Sequence, residues 1–407
     1  MPFADASLTA IRFASETTYA TAPTGTYLEI RQVNEDLGQD KEVVVSDEIT
    51  ADRRNPDNIQ VGSSASGDLT CELTGGIVAT VGESWDQFFR SALGATGYST
   101  PVGAINITGV ITPTNGADAD EIVLTLSAGT FPAFATGEFT TWSGFDGVRS
   151  VLNSVYKVES GGGTGVLTLS CGPRVPASPG TQATATVSAF TFGAITDGTT
   201  LRSFSIERQY SVASQFALMT GKVVTGFDID AQAKKPIRIT WHFMGKDEQS
   251  KTTTIAGAVT AVSTAKSMTL VSDLRSFSLD ENGHDYFLNS FKLSFKNGAY
   301  AQDERAGTIG TIGVGLGTFE CTGRYEFYYD NATLPAGTVH DQFQKFQDKE
   351  LHVGLGNANG EWFLIHLPRI NWTAGRRATP GKDQAVKGWV EFRAAKGPTY
   401  LIKVGRL

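Results

Sequence analysis

Two segments of this 407-residue chain repeat each other, and the repeat constrains the fold more than any other feature. Gly67–Cys71 reads GDLTC and Gly317–Cys321 reads GTFEC. Each segment precedes an Asp-Gln-Phe triplet, at Asp86–Phe88 in one case and Asp341–Phe343 in the other. The segments begin 250 positions apart and the triplets 255 positions apart. Such a nearly constant offset predicts two tandem copies of one folding unit.

A late strand is also repeated, but over a shorter distance. Ile237–Phe243 contains Trp241 and Val386–Phe392 contains Trp389, 148 positions further on. The first copy therefore has about 107 more residues between its helix and this strand, as an insertion in an exposed connection would add. Residues 101–192 fit this surplus, because they are rich in Thr, Ser, Gly, Ala and Val and have only six acidic and three basic side chains.

The repeat and the insert together predict the domain organisation. Residues 1–100 and 193–250 form the first copy, which is interrupted by a small β domain at residues 101–192. Residues 251–267 are a polar linker, and residues 268–407 form the second copy.

The chain is predicted to be mostly β, because short β-branched or alternating runs lie between Gly, Pro, Asn and Asp. The predicted strands are Thr26–Val33, Gly67–Leu73, Glu121–Leu126, Gly165–Ser170, Leu201–Glu207, Val223–Ala231, Pro236–Phe243, Ser290–Lys296, Gly317–Tyr328, Gly360–Leu367 and Val386–Arg393. Helical periodicity is found at Ser84–Gly94, with Ser84 as the expected N-cap, and more weakly at Val339–Phe346.

Composition and motifs exclude several functional classes. The net charge of −8 and the pI near 5.3 argue against tight nucleic-acid binding, although DNA could still slide past such a surface. The five histidines are scattered, and HExxH and GxSxG motifs are missing, so we expect no enzyme, metal or other cofactor. Three cysteines without CxxC spacing predict synthesis in a reducing compartment. The chain has no signal-peptide pattern and no apolar run of ~18 residues, which predicts a soluble intracellular product outside the membrane.

Six short motifs occur in a characteristic order along the chain. They are Glu16–Pro23 (ETTYATAP), Tyr27–Ile30 (YLEI), Ser46–Arg53 (SDEITADR), Ser66–Leu69 (SGDL), Leu367–Ile370 (LPRI) and Pro380–Gln384 (PGKDQ). In this order the chain resembles the major tail tube proteins of long, non-contractile-tailed bacteriophages (siphophage type), in the form with a duplicated tube domain. The resemblance covers roughly three quarters of the chain and leaves out residues 101–192.

The resemblance implies two tandem tail-tube-type β-sandwich or β-barrel domains, each with one short helix. It implies a structural virion protein whose copies form rings that stack into the tail tube, the conduit for DNA ejection into the host. The implied partners are the protein itself and the tape-measure, tail-terminator and distal tail proteins, with double-stranded DNA passing through without tight binding. The protein would occupy the host cytoplasm during assembly and the virion tail afterwards. The alternative is a β-rich virion-surface adhesin or carbohydrate-binding module.

The resemblance also implies a ring stoichiometry. Single-copy members of the family form six-subunit rings, so a chain with two copies can build the same wall from three subunits. We therefore expect a homotrimeric ring with pseudo-sixfold symmetry, and the alternative is a homohexamer.

Strand alternation suggests which side chains line the channel. Polar and apolar residues alternate along three predicted strands, and the polar side must contact water. The expected lumen-lining carboxylates are Asp68, Glu72, Asp228, Asp230, Glu320 and Glu326. An acidic lining would keep DNA from adhering. An ordinary solvated outer face would explain the same alternation equally well.

Val33–Gly62 is too polar for a core. Its expected contact residues are Asp47, Glu48, Asp52, Arg53 and Arg54. One interpretation is a mobile surface loop. The other, which the resemblance implies, is a long arm that contacts the neighbouring ring. We expect residues 101–192 to decorate the outside of the tube, because elsewhere they would obstruct assembly.

Overall fold

The structure is a computed structural model, and it describes residues 8–48, 57–74, 85–99, 105–107, 109–117, 121–173, 175–182, 188–191, 193–210, 215–279, 288–302, 307, 309–328, 348–357, 361–378, 382 and 385–406. The helices in these ranges are α1 (Asp86–Ala92), a 3₁₀ helix (Gly147–Leu152) and α2 (Leu270–Asp273). Strands dominate the rest, which confirms the prediction of a mostly β protein.

The strands fall into three groups along the chain. Before the insert lie β1 (Ala10–Ser15), β2 (Thr26–Ile30), β3 (Gln32–Glu35), β4 (Gly38–Val45) and β5 (Asn58–Glu72). The insert contains β6 (Ile105–Asn106), β7 (Ile111–Asn115), β8 (Ile122–Leu126), β9 (Phe139–Ser143), β10 (Val155–Ser160), β11 (Val166–Ser170) and β12 (Ser188–Thr191). After it come β13 (Gly193–Thr196), β14 (Phe204–Tyr210), β15 (Gln215–Gln232), β16 (Arg238–Gly245), β17 (Asp247–Lys251), β18 (Ala258–Thr260), β19 (Leu274–Leu279), β20 (Leu288–Lys296), β21 (Tyr300–Gln302), β22 (Gly313–Gly315), β23 (Glu320–Tyr328), β24 (Lys349–Gly356), β25 (Trp362–Ala378), β26 (Lys387–Ala394) and β27 (Lys403–Arg406).

The first copy is built around α1. Its strands β3, β5, β16 and the second half of β15 are consecutive antiparallel neighbours, while β1 and β14 pair with each other and β14 with the first half of β15. Phe88 and Phe89 of α1 lie against Trp241, with ring centroids 5.6 and 4.7 Å apart. The predicted helix is therefore confirmed, but its N-cap position is Trp85, without a side-chain cap, and Ser84 lies outside the described residues.

The second copy has the same strand order. β19 pairs with β24 as β1 pairs with β14, and β20 pairs with β23 as β3 pairs with β5. β26 lies between β23 and β25, as β16 lies between β5 and β15. A repeat first detected in short motifs is thus also a repeat of topology. The second predicted helix, Val339–Phe346, lies outside the described residues.

The expected equivalence of Trp241 and Trp389 is wrong. Trp241 is buried in β16 and pairs with Phe227, and the matching buried pair in the second copy is Trp372 with Phe392. Trp389 lies three residues before Phe392, on the opposite face of β26. Because side chains alternate with a period of two, an alignment shifted by three residues moves the tryptophan to the other face.

Strand pairing and a buried ion pair are among the contacts that join the copies. β15 pairs with β20 over Gly226–Gln232 and Ser290–Lys296, so the sheet continues from one copy into the other. β27 pairs with both β13 and β25. At its end the buried Arg406 forms an ion pair with Asp86 of α1 and donates a hydrogen bond to the carbonyl oxygen of Thr74, 2.7 Å away. A single buried apolar cluster therefore extends through both copies.

The insert has its own sheet and its own core. The strand order is β6-β12-β9-β10-β11-β8-β7. Residues such as Trp142, Leu124 and Leu167 are buried in a cluster that is separate from that of the two copies. This separate core is what an independently folding insertion requires.

Candidate functional site: the polar face of the shared sheet

Six consecutive antiparallel strands drawn from both copies form one surface, which we call the shared sheet: β5, β16, β15, β20, β23 and β26. Their side chains alternate between buried apolar residues on one face and partly exposed polar residues on the other. We call the second face the polar face. It spans the junction between the copies without interruption.

All six carboxylates expected from the sequence lie on the polar face. Each of them lies directly opposite a residue of a neighbouring strand. These cross-strand pairs are Asp68 with His242, Glu72 with Arg238, Asp228 with Thr240, Asp230 with Lys292, Glu320 with Lys296 and Glu326 with Ser290. Cross-strand partners share a face of a sheet, so the six side chains project to the same side. Strand alternation was sufficient to find them.

One row of the polar face crosses all six strands with charged side chains of both signs. In strand order it reads Glu72, Arg238, Asp230, Lys292, Arg324 and Glu391. Lys292 Nζ lies 3.7 Å from a carboxylate oxygen of Asp230, and the Arg324 guanidinium lies 3.6 Å from Glu391. Four of the five neighbouring pairs in this row are of opposite charge and favour the register, whereas Lys292 and Arg324 are both cations and each has a carboxylate on its other side.

His242 bridges two of the expected carboxylates. Its Nδ1 lies 2.7 Å from an oxygen of Asp68, and its Nε2 lies 3.1 Å from an oxygen of Asp228. The hydrogen bond with Asp228, supported by the one with Asp68, raises the pKa of His242 to about 9 against the opposing effect of burial. Burial would raise the pKa of Asp228, but the hydrogen bonds from His242 and Ser294 hold it below its usual value. At neutral pH the trio is thus one cation between two anions.

The sequence argument considered the carboxylates and missed the cations around them. The polar face has seven carboxylates, namely the six expected ones and Glu391. Its Lys and Arg side chains are also numerous: Arg238, Lys292, Lys296, Arg324, Lys387 and Arg393. Ion pairs join Arg393 to Glu320 at 3.2 Å and Lys387 to Glu326 at 3.6 Å. The described face is therefore close to charge balance. The alternation used for the carboxylates, applied to Ser290–Lys296 and Val386–Arg393, would have found these cations.

The centre of the polar face is concave. A depression of about 680 Å³ lies over β15, β20, β23 and β26, with Asp230, Lys292, Arg324 and Glu391 among its lining residues. The Arg324 guanidinium lies 4.2 Å from the ring centroid of Trp389, a cation–π contact at the edge of this depression. The surface is therefore a curved, hydrophilic wall and not an enclosed pocket.

The second candidate surface is the hairpin of β4 and β5. These strands pair from Gly38 with Ser66 to Val45 with Asn58, so Val33–Gly62 is mainly a two-stranded projection. Of its expected contact residues, Asp47 and Glu48 are exposed beyond β4, whereas Asp52, Arg53 and Arg54 lie outside the described residues.

The sequence reasoning missed an apolar patch on this hairpin. The patch consists of Val43, Val44, Val45, Ile59 and Val61, each about half exposed, and it covers both faces of the hairpin, because Val44 and its partner Ile59 project to one side and Val43 and Val45 to the other. Such adjacent aliphatic side chains on a projecting hairpin are typical of a contact surface.

A family model described as "phage tail tube protein" matches residues 6–394, nearly the whole chain. The chain is a phage tail tube protein. Tail tube proteins are structural components of the virion tail, and they self-assemble into a tube with other tail proteins. This assigns the chain to a structural class and not to an enzyme class. The expectation drawn from the six motifs is confirmed at this level.

Two further observations complete the comparison. No curated protein sequence matches this tail tube protein significantly. Within the described ranges, no helix is long and apolar enough to cross a membrane, and no group of three His, Cys, Asp or Glu side chains is arranged to hold a metal ion.

Proposed function

We propose that this tail tube protein assembles as homotrimeric rings with pseudo-sixfold symmetry. The rings stack, and DNA leaves the virion along the polar face of the shared sheet. The observation that carries the proposal is a difference between the long strands β15 and β25. The tape-measure, tail-terminator and distal tail proteins are the proposed partners along and at the ends of the tube.

The edge of β15 suggests how one chain joins the next. One edge of β15 is covered by β16 and β17. The other is covered by β14 in its first half and by β20 in its second half. β25 repeats this pattern with β26 and β27 on one edge and β24 on the other. On the edge of β25 that β24 covers in its first half, no described strand pairs with residues 371–378, where β20 would be expected, although β26 covers the opposite edge there.

The complementary edge belongs to β3. This strand takes the place of β20 in the first copy and pairs with β5, and its outer edge has no partner strand among the described residues. β3 of one chain can therefore pair with β25 of the next, as β20 pairs with β15 within the chain. Such pairing removes two exposed edges from each chain, and exposed edges invite uncontrolled association.

The strand count favours a trimer over a hexamer of whole chains. Each chain contributes β3, β5, β16, β15, β20, β23, β26 and β25 to one continuous sheet. Three chains close a barrel of about 24 strands, and six would double that number and widen the channel in proportion.

Proline substitution on the open edge tests this junction. Gly375→Pro and Arg376→Pro, beyond the bulge at Thr373, each remove one backbone N–H, and neighbouring N–H groups in a regular strand point to opposite edges. We expect one of the two variants to keep its circular dichroism spectrum and yet remain monomeric by mass photometry. Gly375→Val and Arg376→Val are the matched controls and should still form rings of three chains. Trimers from both proline variants, or wild-type rings of six chains, would contradict the proposal.

A charge-balanced wall suits a conduit for DNA. Paired carboxylates and cations offer the phosphate backbone no net basic surface on which to adhere. The mixed row of the polar face supports this assignment better than the purely acidic lining expected from the sequence. DNA would then slide past fixed ion pairs that are already satisfied.

Cysteine labelling distinguishes a lumen from an outer wall. Thr322→Cys places a thiol at the centre of the polar face, and the native Cys71, Cys171 and Cys321 are buried. A bulky polyethylene-glycol maleimide should label this variant as a monomer but not in tubes. Val148→Cys, on the exposed 3₁₀ helix of the insert, is the control and should be labelled in both states because we propose that the insert decorates the outside. Equal labelling of Thr322→Cys in tubes and monomers would assign the face to the outside.

We assign ring stacking to the hairpin of β4 and β5. Its apolar patch gives the contact area, and Asp47, Glu48, Asp52, Arg53 and Arg54 are its proposed polar contacts. Val44→Asp with Ile59→Asp should leave single rings that no longer form tubes in electron micrographs. The control, Lys41→Ser, changes an exposed residue of the same hairpin and should form tubes of normal length. Normal tubes from the double variant would refute the assignment.

A further inference from the structure

The insert is connected in sequence to the first copy, but it packs against the second copy and covers part of its surface. Phe139 and Val155 of the insert pack against Leu364 of β25, and all three side chains are buried. The Phe139 ring also stacks on His352 of β24, with centroids 5.2 Å apart and an interplanar angle of 3°. The side of β24 and β25 that faces away from the main core is thus covered by another domain.

A network of charged and polar groups lies inside this contact. Lys157 of the insert donates to both oxygens of Glu350 on β24, at 2.9 and 3.2 Å. The same carboxylate accepts from His366 of β25, whose other ring nitrogen lies 2.8 Å from the hydroxyl of Tyr400. Lys403 donates to the carbonyl oxygen of Gly137 in the insert, 3.2 Å away. Buried ion pairs of this kind depend on the charge state of every member.

The first copy covers its equivalent face differently. There the buried Glu207 of β14 accepts hydrogen bonds from the Thr254 hydroxyl and the Ile255 amide, both at 2.7 Å. Both donors belong to the linker, which continues into β18 and pairs with β2. The face of the first copy is therefore closed by the linker without a histidine, and that of the second by a domain that packs on two histidines.

We propose that the insert is a releasable clasp, which covers the outward face of β24 and β25 at neutral pH and separates from it in mild acid while both parts stay folded. The separate core of the insert makes this possible, because undocking does not require the insert to unfold. The contact that breaks is the one formed by Phe139, Lys157, Glu350, His352 and His366.

The direction of the pH effect follows from the docked geometry. Burial lowers the pKa of His352 to about 3 and also lowers that of His366, although the hydrogen bond with Glu350 opposes the second shift. A histidine that stays neutral when docked stabilises docking above its free pKa near 6.5, and this contribution declines as the pH falls below that value. Burial would raise the pKa of Glu350, but His366 and Lys157 lower it to about 2, so this carboxylate weakens docking only below pH 4.5.

Other titratable groups face the two histidines from both parts of the chain. Those of the insert are Glu138, Lys157, Glu159 and Cys171, and those of the main body are Asp197, Tyr400 and Lys403. Interactions with Glu350 overcome burial and raise the pKa of Lys157, whereas burial raises the pKa of Tyr400, so both stay protonated near neutrality. The histidines therefore determine the response between pH 7 and pH 5.

Hydroxyl-radical footprinting of the full chain tests the clasp, because it measures the solvent accessibility of side chains. Between pH 7.5 and pH 5.0, protection of Phe139, His352 and His366 should fall. For His352 the expected shift in the docking equilibrium is about 30-fold at pH 5. Trp142 in the insert core and Trp241 in the first copy should remain protected, which separates undocking from acid unfolding.

A double variant isolates the histidines. His352→Gln with His366→Gln keeps polar side chains at both positions but cannot gain a proton, so its contact should stay protected at pH 5.0. His242→Gln, far from the contact, is the matched control and should respond to acid as the wild type does. Phe139→Ala provides the side-chain accessibility of His352 and His366 in an undocked chain at pH 7.5. Unchanged wild-type protection at pH 5.0, or an acid response in the double variant equal to that of the wild type, would overturn the proposal. If the double variant is undocked at pH 7.5, the wild-type curve decides alone, and a midpoint below pH 4.5 would overturn the proposal.

Discussion

The long strands β15 and β25 are equivalent in the two copies, but their outer edges differ. β15 spans 18 residues and is covered on both edges, with β20 along its second half. β25 spans 17 residues and has equivalent neighbours among the described residues except at the position of β20. Within the described part of the chain, one copy-to-copy junction is therefore formed internally and its counterpart has no partner strand. In the ring that we propose, the internal junction is the template for the contact between chains.

The outward faces differ in a second way. The first copy is covered by the linker, and the second is covered by the insert that belongs to the first. Each covering segment is bound by a carboxylate, the buried Glu207 on β14 or the partly buried Glu350 on β24. The same fold can therefore carry an additional domain without altering the shared sheet, because the domain attaches to the side of β24 and β25 that faces away from the core.

The largest expected effect is a difference in the stability lost when the tryptophan of β16 or that of the equivalent strand β26 is replaced by alanine. Trp241→Ala empties a fully buried site beside Phe88, Phe89 and Phe227 and should lower the free energy of unfolding by about 3–5 kcal/mol. Trp389→Ala removes a partly exposed side chain and its contact with Arg324, and should cost less than about 1 kcal/mol. Urea denaturation of the two variants under conditions that prevent tube formation measures both values. Equal losses would mean that the two tryptophans are equivalent after all.

An intermediate effect concerns the linker. Glu207→Ala removes the acceptor of two hydrogen bonds and a partner 3.7 Å from Arg12, which should cost about 2–3 kcal/mol because charged hydrogen bonds are lost in a buried site. Hydrogen exchange should rise in β18 and the adjoining linker but not in the insert contact. Glu48→Ala, at an exposed carboxylate, is the control. Unchanged exchange in the linker would show that Glu207 does not hold it in place.

The polar face could be predicted because strand alternation is a local property. Asp228 and Asp230 follow from the pattern of one strand, whatever that strand pairs with. The bridge of Asp68, His242 and Asp228 could not be predicted, because it requires three strands to be neighbours in a particular register. The same limit explains why Trp389 was matched to Trp241, since equivalent strands can share a residue type at positions that differ in register.

The contact between the insert and the second copy was beyond sequence reasoning for a related reason. Composition identified the insert as a separate β domain with few charges. Its ion pair with the second copy, from Lys157 to Glu350, joins positions 193 residues apart. No local pattern distinguishes such a lysine from an exposed one. The apolar patch of the hairpin, by contrast, includes three consecutive residues, Val43–Val45, and is visible in the local sequence. The charged residues on either side of it led to the prediction of a polar arm.

The smallest expected effect is a difference in how the stability of the two halves of the polar face depends on alkaline pH. His242 follows Trp241 on β16, and the equivalent residue, next to Phe392 on β26, is Arg393, which is paired with Glu320 at 3.2 Å. Because the folded pKa of His242 is raised to about 9, its contribution to stability is fully present below pH 6.5 and is lost as the pH rises through 9. The His242 side chain is 29% exposed and its two carboxylate partners are 47% exposed, so solvent screening reduces the contribution to about 1 kcal/mol.

Wild-type and His242→Gln chains should therefore differ by this amount in urea denaturation at pH 6 and converge by pH 10. The same comparison for Arg393→Gln should give a constant difference over that range, because arginine stays charged. Lys222 also titrates in this window, since burial lowers its pKa to about 8, but it is present in every chain compared and cancels from the differences. A difference for His242→Gln that persists at pH 10 would show that the histidine contributes by packing and not by its charge between Asp68 and Asp228.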